Sequence, residues 1–163
     1  MTDQAPIPIL LTAIGGGGHG EQILKALRLA EAGRYKLFGA DANKHCPQFG
    51  LVEDAYVIPM ARDPEYLDIL LELCKKLGAR ALFHGCEPEL EIFSRERERI
   101  EKAGIFLPVN PLPVIETCMN KIQTAHFLQS KGFDVPQFVA ITDMDALHQV
   151  DFFPAVLKPA VGS

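Results

Sequence analysis

Apolar residues along this chain switch repeatedly between continuous short runs and a helical spacing. The run Ile7-Pro8-Ile9-Leu10-Leu11-Thr12-Ala13-Ile14 is apolar on both faces and breaks into Gly15-Gly16-Gly17-Gly18-His19-Gly20. This reads as a buried strand ending in a tight turn. From Glu21 the apolar residues Ile23, Leu24, Leu27 and Ala30 recur at helical spacing, with Gly33 as the expected C-cap. Tyr35 to Ala40 predicts a second strand ending at Asp41, and Ala55 to Ile58 a third bounded by Pro59. Asp63-Pro64-Glu65 then opens a helix, with Asp63 as N-cap and Leu67, Leu70, Leu71, Cys74 and Leu77 as its inward stripe. Ala79 to Phe83 is a fourth strand, Glu87 to Ala103 one long helix, and Ile105 to Leu107 a fifth strand.

Strand alternating with helix predicts an α/β fold, a Rossmann-like parallel sheet covered on both faces. Pro108, Pro111 and Pro113 punctuate the chain after the fifth strand, so the expected organisation is one domain over residues 1–112 and the start of a second over 113–163. In the second, Asn120 to Lys131 predicts a helix ended by Gly132, Gln137 to Ile141 a strand, and Met144 to Gln149 a short helix. Ala155 to Leu157 predicts a strand that leads into Lys158-Pro159-Ala160-Val161-Gly162-Ser163. A strand that delivers a lysine into a glycine turn at the last residue leads us to expect a truncated second domain.

Sixteen basic against twenty-one acidic residues give a net charge of −5, which supplies no field for nucleic acid or an anionic membrane surface. No segment is apolar over the length that a membrane span needs, and the N-terminus lacks a basic region before its apolar run. A cytoplasmic protein is expected. Cys46, Cys74, Cys86 and Cys118 contain no C-x-x-C pair, so a disulfide framework and a zinc ribbon are both disfavoured, and no metal site is expected. His45-Cys46 and His84-x-Cys86 follow strands and could meet at one sheet edge, but soft ligands at strand ends are more often packing residues than metal ligands. The mixed-sign run Arg95 to Arg99 reads as a solvated face.

Gly15, Gly17 and Gly20 satisfy G-x-G-x-x-G between strand and helix, with Asp41 ending the second strand. That is the spacing of a dinucleotide fingerprint, built on helix N-terminal amides that attract anions. Taken alone it points to an NAD(P)-binding module of an oxidoreductase. Four successive glycines also make a sharp turn with no ligand.

Further along, Asn120-Lys121, Gly132-Phe133-Asp134-Val135-Pro136, and Phe153-Pro154-Ala155-Val156-Leu157-Lys158-Pro159 with Gly162-Ser163 together resemble the opening of the ATP-grasp fold. The glycine loop, the Asp41 region, Glu53 to Pro59 and His84-Gly85-Cys86-Glu87-Pro88-Glu89-Leu90 are similar to the domain preceding it in carbamoyl-phosphate-synthase-like ligases. The resemblance implies a pre-ATP-grasp domain followed by the start of an ATP-grasp domain. It implies an enzyme that uses ATP and Mg2+ to phosphorylate a small-molecule carboxylate, whose acyl phosphate is attacked by an amine or ammonia. Lys121, Lys158, Gly162 and Ser163 would bind ATP, and Gly15, Gly16, Gly17, Gly18, His19 and Glu87 would face the substrate. Magnesium ligands are expected beyond Ser163, so that the chain alone is inactive. Such ligases often pair as homodimers through the first domain. The rival readings are the NAD(P) module and an interaction domain that has kept the fold and lost the site.

Overall fold

The computed structural model describes residues 5–162. The chain divides into two compact units, Met1–Pro111 and Leu112–Ser163.

The first unit is built on strands β1 (Ile7–Leu11), β2 (Tyr35–Asp41), β3 (Asp54–Val57) and β4 (Ala81–Phe83), all parallel in the order β3-β2-β1-β4. Leu10 lies in register with Phe38 and with Leu82, and Ile9 with Leu37 and Ala81. All six are buried. Successive side chains alternate across a sheet, so β1 fills both faces, as its unbroken apolar run predicts. On one face Ile9, Leu11 and Leu37 pack with Ile14, with Leu24 of helix α1 (His19–Arg28), and with Cys46. Helix α2 (Tyr66–Leu77) buries Tyr66, Leu67, Leu70, Leu73 and Cys74, and meets helix α3 (Glu87–Arg95) where Tyr66 stacks on Phe93 at 6.5 Å.

Several boundaries differ from expectation. Helix α1 stops at Arg28, because the next apolar residue, Leu29, is 88% exposed and has nothing to pack on. Gly33, with φ +78°, instead turns the chain toward β2. Asp63 forms a turn ahead of α2, its carboxylate accepting from the Glu65 N–H at 2.9 Å, so Glu65 takes the N-cap position. Leu71 and Leu77 are only half-buried, and Tyr66 and Leu73 take their places in the core. The single helix expected from Glu87 is two, α3 and α4 (Arg97–Lys102), kinked at Glu96. There Arg97 bridges two places, one guanidinium nitrogen donating to Glu101 of its own helix at 2.8 Å and the other to the Val109 carbonyl. The fifth strand reduces to one parallel bridge, Phe106 with Ala81, because Gly104 precedes it and Pro108, which lacks an N–H, follows it. Two elements have no counterpart in the residue pattern: a 3-10 turn at Pro47–Leu51 and helix α5 (Leu112–Met119).

The second unit holds α5, α6 (Lys121–Ser130) and α7 (Met144–His148). Asn120 caps α6 through bonds from the Ile122 and Gln123 amides, and Asp143 caps α7 through the Ala146 amide. Neither expected strand, 137–141 or 155–157, forms. A strand exists only by pairing, and the one bridge among the described residues of this unit joins Asn120 to Val161.

Candidate functional site

In an open parallel sheet, ligands bind beyond the carboxyl ends of the strands where the strand order reverses. Here that point lies between β1 and β4, so the segments following those strands, Thr12 to Gly18 and His84 to Cys86, flank it. The two come into direct backbone contact. The Gly20 N–H donates to the Gly85 carbonyl at 3.3 Å. A Cβ on Gly85 would stand 2.0 Å from the Thr12 oxygen, and one on Gly20 would stand 2.4 Å from the Ala13 oxygen. Only glycine fits at either place. Gly16 and Gly17 turn the loop with φ +75° each, while Ala13 holds the left-handed φ of 44° at its base, a conformation that costs a non-glycine residue of order 1 kcal/mol.

Two of the loop's amides, those of Gly15 and Gly17, are engaged by carboxylates of the chain itself. Asp41 accepts from the Gly15 N–H at 2.9 Å with one oxygen and from the Asn43 N–H at 2.8 Å with the other. The acid of the G-x-G-x-x-G pattern is therefore folded onto the loop. Glu21 accepts from the Gly17 N–H at 2.9 Å and pairs with Lys25 at 2.6 Å. Lys25 is the main reason that the Glu21 carboxyl sits below its ordinary range. A carboxylate thus occupies the loop amide where a pyrophosphate would compete for it.

His19 and Glu87 are exposed at this mouth, and the His19 ring lies edge-on to His84 at 6.2 Å. Burial lowers the His84 pKa; nearby Glu89 opposes this and His19 adds to it. At neutral pH His84 is then an uncharged ring, and its buried Nδ1 has no hydrogen-bond partner among the described residues. Burial pushes the Cys86 thiol up to about 11 and raises that of Cys46. Both are protonated thiols at neutral pH. Among the described residues no three His, Cys, Asp or Glu side chains stand close enough to hold a metal ion, and the juxtaposition of His45-Cys46 with His84-Cys86 makes no such group.

The group that joins the two loops from beneath is one that the residue pattern does not single out. Glu89, 2% exposed, accepts from the Tyr66 hydroxyl on one oxygen. On the other it accepts from the Thr12 hydroxyl at 2.8 Å, the Gly85 N–H at 2.7 Å and the Cys86 N–H at 3.3 Å. The Thr12 hydroxyl also has the Phe83 carbonyl at 3.1 Å, so its one proton lies between the two, nearer Glu89. Burial and the bond to Glu89 both keep the Tyr66 hydroxyl protonated. The sequence holds one sign of this, a glutamate three residues after the N-cap, as in a capping box. Cys86 is an unusual cap, and Thr12 is hidden in an apolar run.

In the second unit, the structure joins two of the residues expected to bind phosphate. The Lys121 amide donates to the Ala160 carbonyl at 2.8 Å and its ammonium to the Gly162 carbonyl. Gly162 has φ +79°. Lys158 is exposed nearby in sequence, and Ser163 lies outside the described residues.

A family model described as PylC-like, N-terminal domain, matches residues 9–108. Among solved structures, the chain resembles an N5-carboxyaminoimidazole ribonucleotide synthetase in its ADP complex, with a TM-score of 0.70 at 20% identity over 100% of this chain and 40% of that one. The synthetase of the same name from Thermotoga maritima gives 0.62 at 18% identity, over 96% and 39%. The biotin carboxylase domain of the Hydrogenobacter thermophilus 2-oxoglutarate carboxylase, solved with MgADP, ADP and bicarbonate, gives 0.61 at 18% identity, over 90% and 32%. This chain spans at most 40% of each of these neighbours, and at such identities the likeness is one of fold. No curated protein matches the sequence. Among the described residues no helix is long and apolar enough to cross a membrane.

Proposed function

Since this chain belongs, through residues 9–108, to the PylC-like family by its N-terminal domain, we propose that it serves as the amino-terminal part of an ATP-dependent ligase. The ligase activates a small-molecule carboxylate as an acyl phosphate, and an amine or ammonia attacks it. The first unit is the substrate-side domain, with the loop Gly15, Gly16, Gly17, Gly18 and His19 and the exposed Glu87 facing the carboxylate. The second unit opens the nucleotide domain, with Lys121, Lys158 and the turn at Gly162 directed to the phosphates of ATP. Ser163, next in sequence, is assigned to ATP by the resemblance alone.

The observation that supports this reading most is the bond of the Lys121 ammonium to the Gly162 carbonyl. It ties the first lysine of the ATP-grasp pattern to the glycine turn that follows the second. Both lysines are exposed, and an ammonium held by a single carbonyl is free to exchange it for a phosphate oxygen, a stronger acceptor. ATP, when bound, supplies the phosphoryl group that makes the acyl phosphate. The residues present suit its phosphates by charge and by loop amides. Among the described residues no three His, Cys, Asp or Glu side chains stand together to hold a metal ion. The work of this chain is to bind and orient, the means by which most of such a barrier is lowered.

The dinucleotide alternative is not favoured. Asp41 is spent on Gly15 and Asn43, and Glu21 on Gly17.

The test is acyl-phosphate trapping with the full-length gene product. Incubated with MgATP, hydroxylamine and a panel of amino acids and other small carboxylates, it should release ADP and form a hydroxamate with at least one of them. Lys158→Ala should lower this at least tenfold. ADP release that no carboxylate stimulates, with no hydroxamate, contradicts the proposal.

A further inference from the structure

We propose that Glu89 is the positioning residue of the substrate-side mouth: its buried carboxylate sets the separation of the loops after β1 and β4, and so the shape in which the glycine loop meets a substrate. What the mouth holds rests on the ligase reading; the clamp itself does not.

Glu89 is the one charged side chain buried among the described residues. A carboxylate there is tolerated only if its hydrogen bonds are made, and how they are shared shows its role. A glutamate at the third position of a helix ordinarily reaches back to the N-cap amide of its own helix. Glu89 does so through Cys86, but at 3.3 Å this is its longest measured bond. The shorter ones leave the helix, to Gly85 after β4 at 2.7 Å and to Thr12 at the end of β1 at 2.8 Å, both on the same oxygen. The other oxygen is held by Tyr66, the first residue of α2. One carboxylate therefore fastens three separate elements where the two loops touch.

Nothing at that contact absorbs an error. The Gly85 and Thr12 backbones are so close that a single added carbon would overlap, and Gly20, at the start of α1, is hydrogen-bonded to Gly85 in the same place. A shift of β4's end relative to β1's end is passed directly to Gly15–Gly20. The strained Ala13 lies between Thr12 and that loop. Its left-handed backbone persists only while its neighbours are held, and Thr12, the residue before it, is held by Glu89.

Hydrogen exchange of individual amides in this chain, followed by NMR, tests the clamp. Glu89→Gln retains size but offers an N–H2 group to donors, and should speed exchange at Gly15, Gly20 and Gly85 at least tenfold while Leu37 to Ala40 in β2 change less than twofold. Glu89→Asp keeps a carboxylate at the helix N-terminus and is too short to reach Thr12 and Tyr66. It should loosen the same three glycines, which separates positioning from helix capping. Thr12→Val and Tyr66→Phe each remove one donor and should give the same pattern at about threefold, and they decide the matter if the Glu89 variants fail to fold. Glu91→Gln, a surface control on the same helix, should change none of these amides. The proposal is overturned if loops and β2 loosen equally, if the glycines do not respond, or if Glu89→Asp behaves as wild type. None of these readouts needs a ligand. Failure of the full-length product to bind MgATP would remove the ligase reading and leave the clamping role of Glu89 standing or falling on hydrogen exchange alone.

Discussion

The two units of this chain carry similar apolar runs and treat them differently. In Met1–Pro111, Ile9, Leu10 and Leu11 are 3%, 0% and 0% exposed and paired on both sides. In Leu112–Ser163, Val156 and Leu157 are 79% and 81% exposed and belong to no strand. The helices α5, α6 and α7 form in the second unit regardless, because a helix satisfies its own backbone and needs only a cap such as Asn120 or Asp143. A strand is a property of a pair. The difference teaches that the first unit is stabilised by long-range packing and the second largely by local bonds, which substitutions can separate.

The largest effect should come where the two loops touch. Gly85→Ala puts a carbon 2.0 Å from the Thr12 oxygen and should cost the first unit about 3 kcal/mol or more in urea unfolding. Gly50→Ala, with nothing within 4 Å, should stay within about 0.5 kcal/mol. Next, Leu24→Ala at a fully buried position should cost about 2–5 kcal/mol, and Leu157→Ala close to nothing. Equal costs for these two leucines would break the comparison.

A rise in pH should also discriminate. Burial pushes Cys74 up to about 12 and Cys86 to about 11, from an ordinary thiol value of 9.0. The folded state then holds protons that the unfolded state releases, so stability is complete below about pH 9 and falls as pH rises toward 11. Buried Cys74 contributes a slope of up to about 1.4 kcal/mol per pH unit, and half-buried Cys86 less because solvent screens it. Near-neutral and alkaline unfolding curves should show this in the first unit, while the helical signal of the second stays level. The smallest effect is local. Asn120→Ala should cost α6 about 1 kcal/mol, seen as faster exchange at Thr124, with the sheet unchanged.

The same distinction explains what can be read from the sequence. β1, the glycine turn, α1 and β2 follow from periodicity and punctuation, and so does the α/β class, because a strand buried on both faces leaves an unbroken apolar run. Asp41 falls at the end of β2 as the pattern predicts, but that its carboxylate folds back onto Gly15 depends on a turn twenty-six residues away in sequence. Glu87 stands out in the pattern as the strand-end acid, whereas Glu89, two residues on, points inward. Helical phase decides between them, and an acidic helix start does not display its phase. Strands 137–141 and 155–157 have strand-like composition, but composition does not supply a partner.

The most direct measurement is calorimetric titration of MgATP and, separately, NAD into this chain and into the full-length gene product. The account predicts that NAD binds neither, since Asp41 and Glu21 already occupy the glycine loop, and that MgATP binds the full-length product in a manner lost with Lys158→Ala. Tight NAD binding by this chain, with no MgATP affinity in the full-length product, would contradict it.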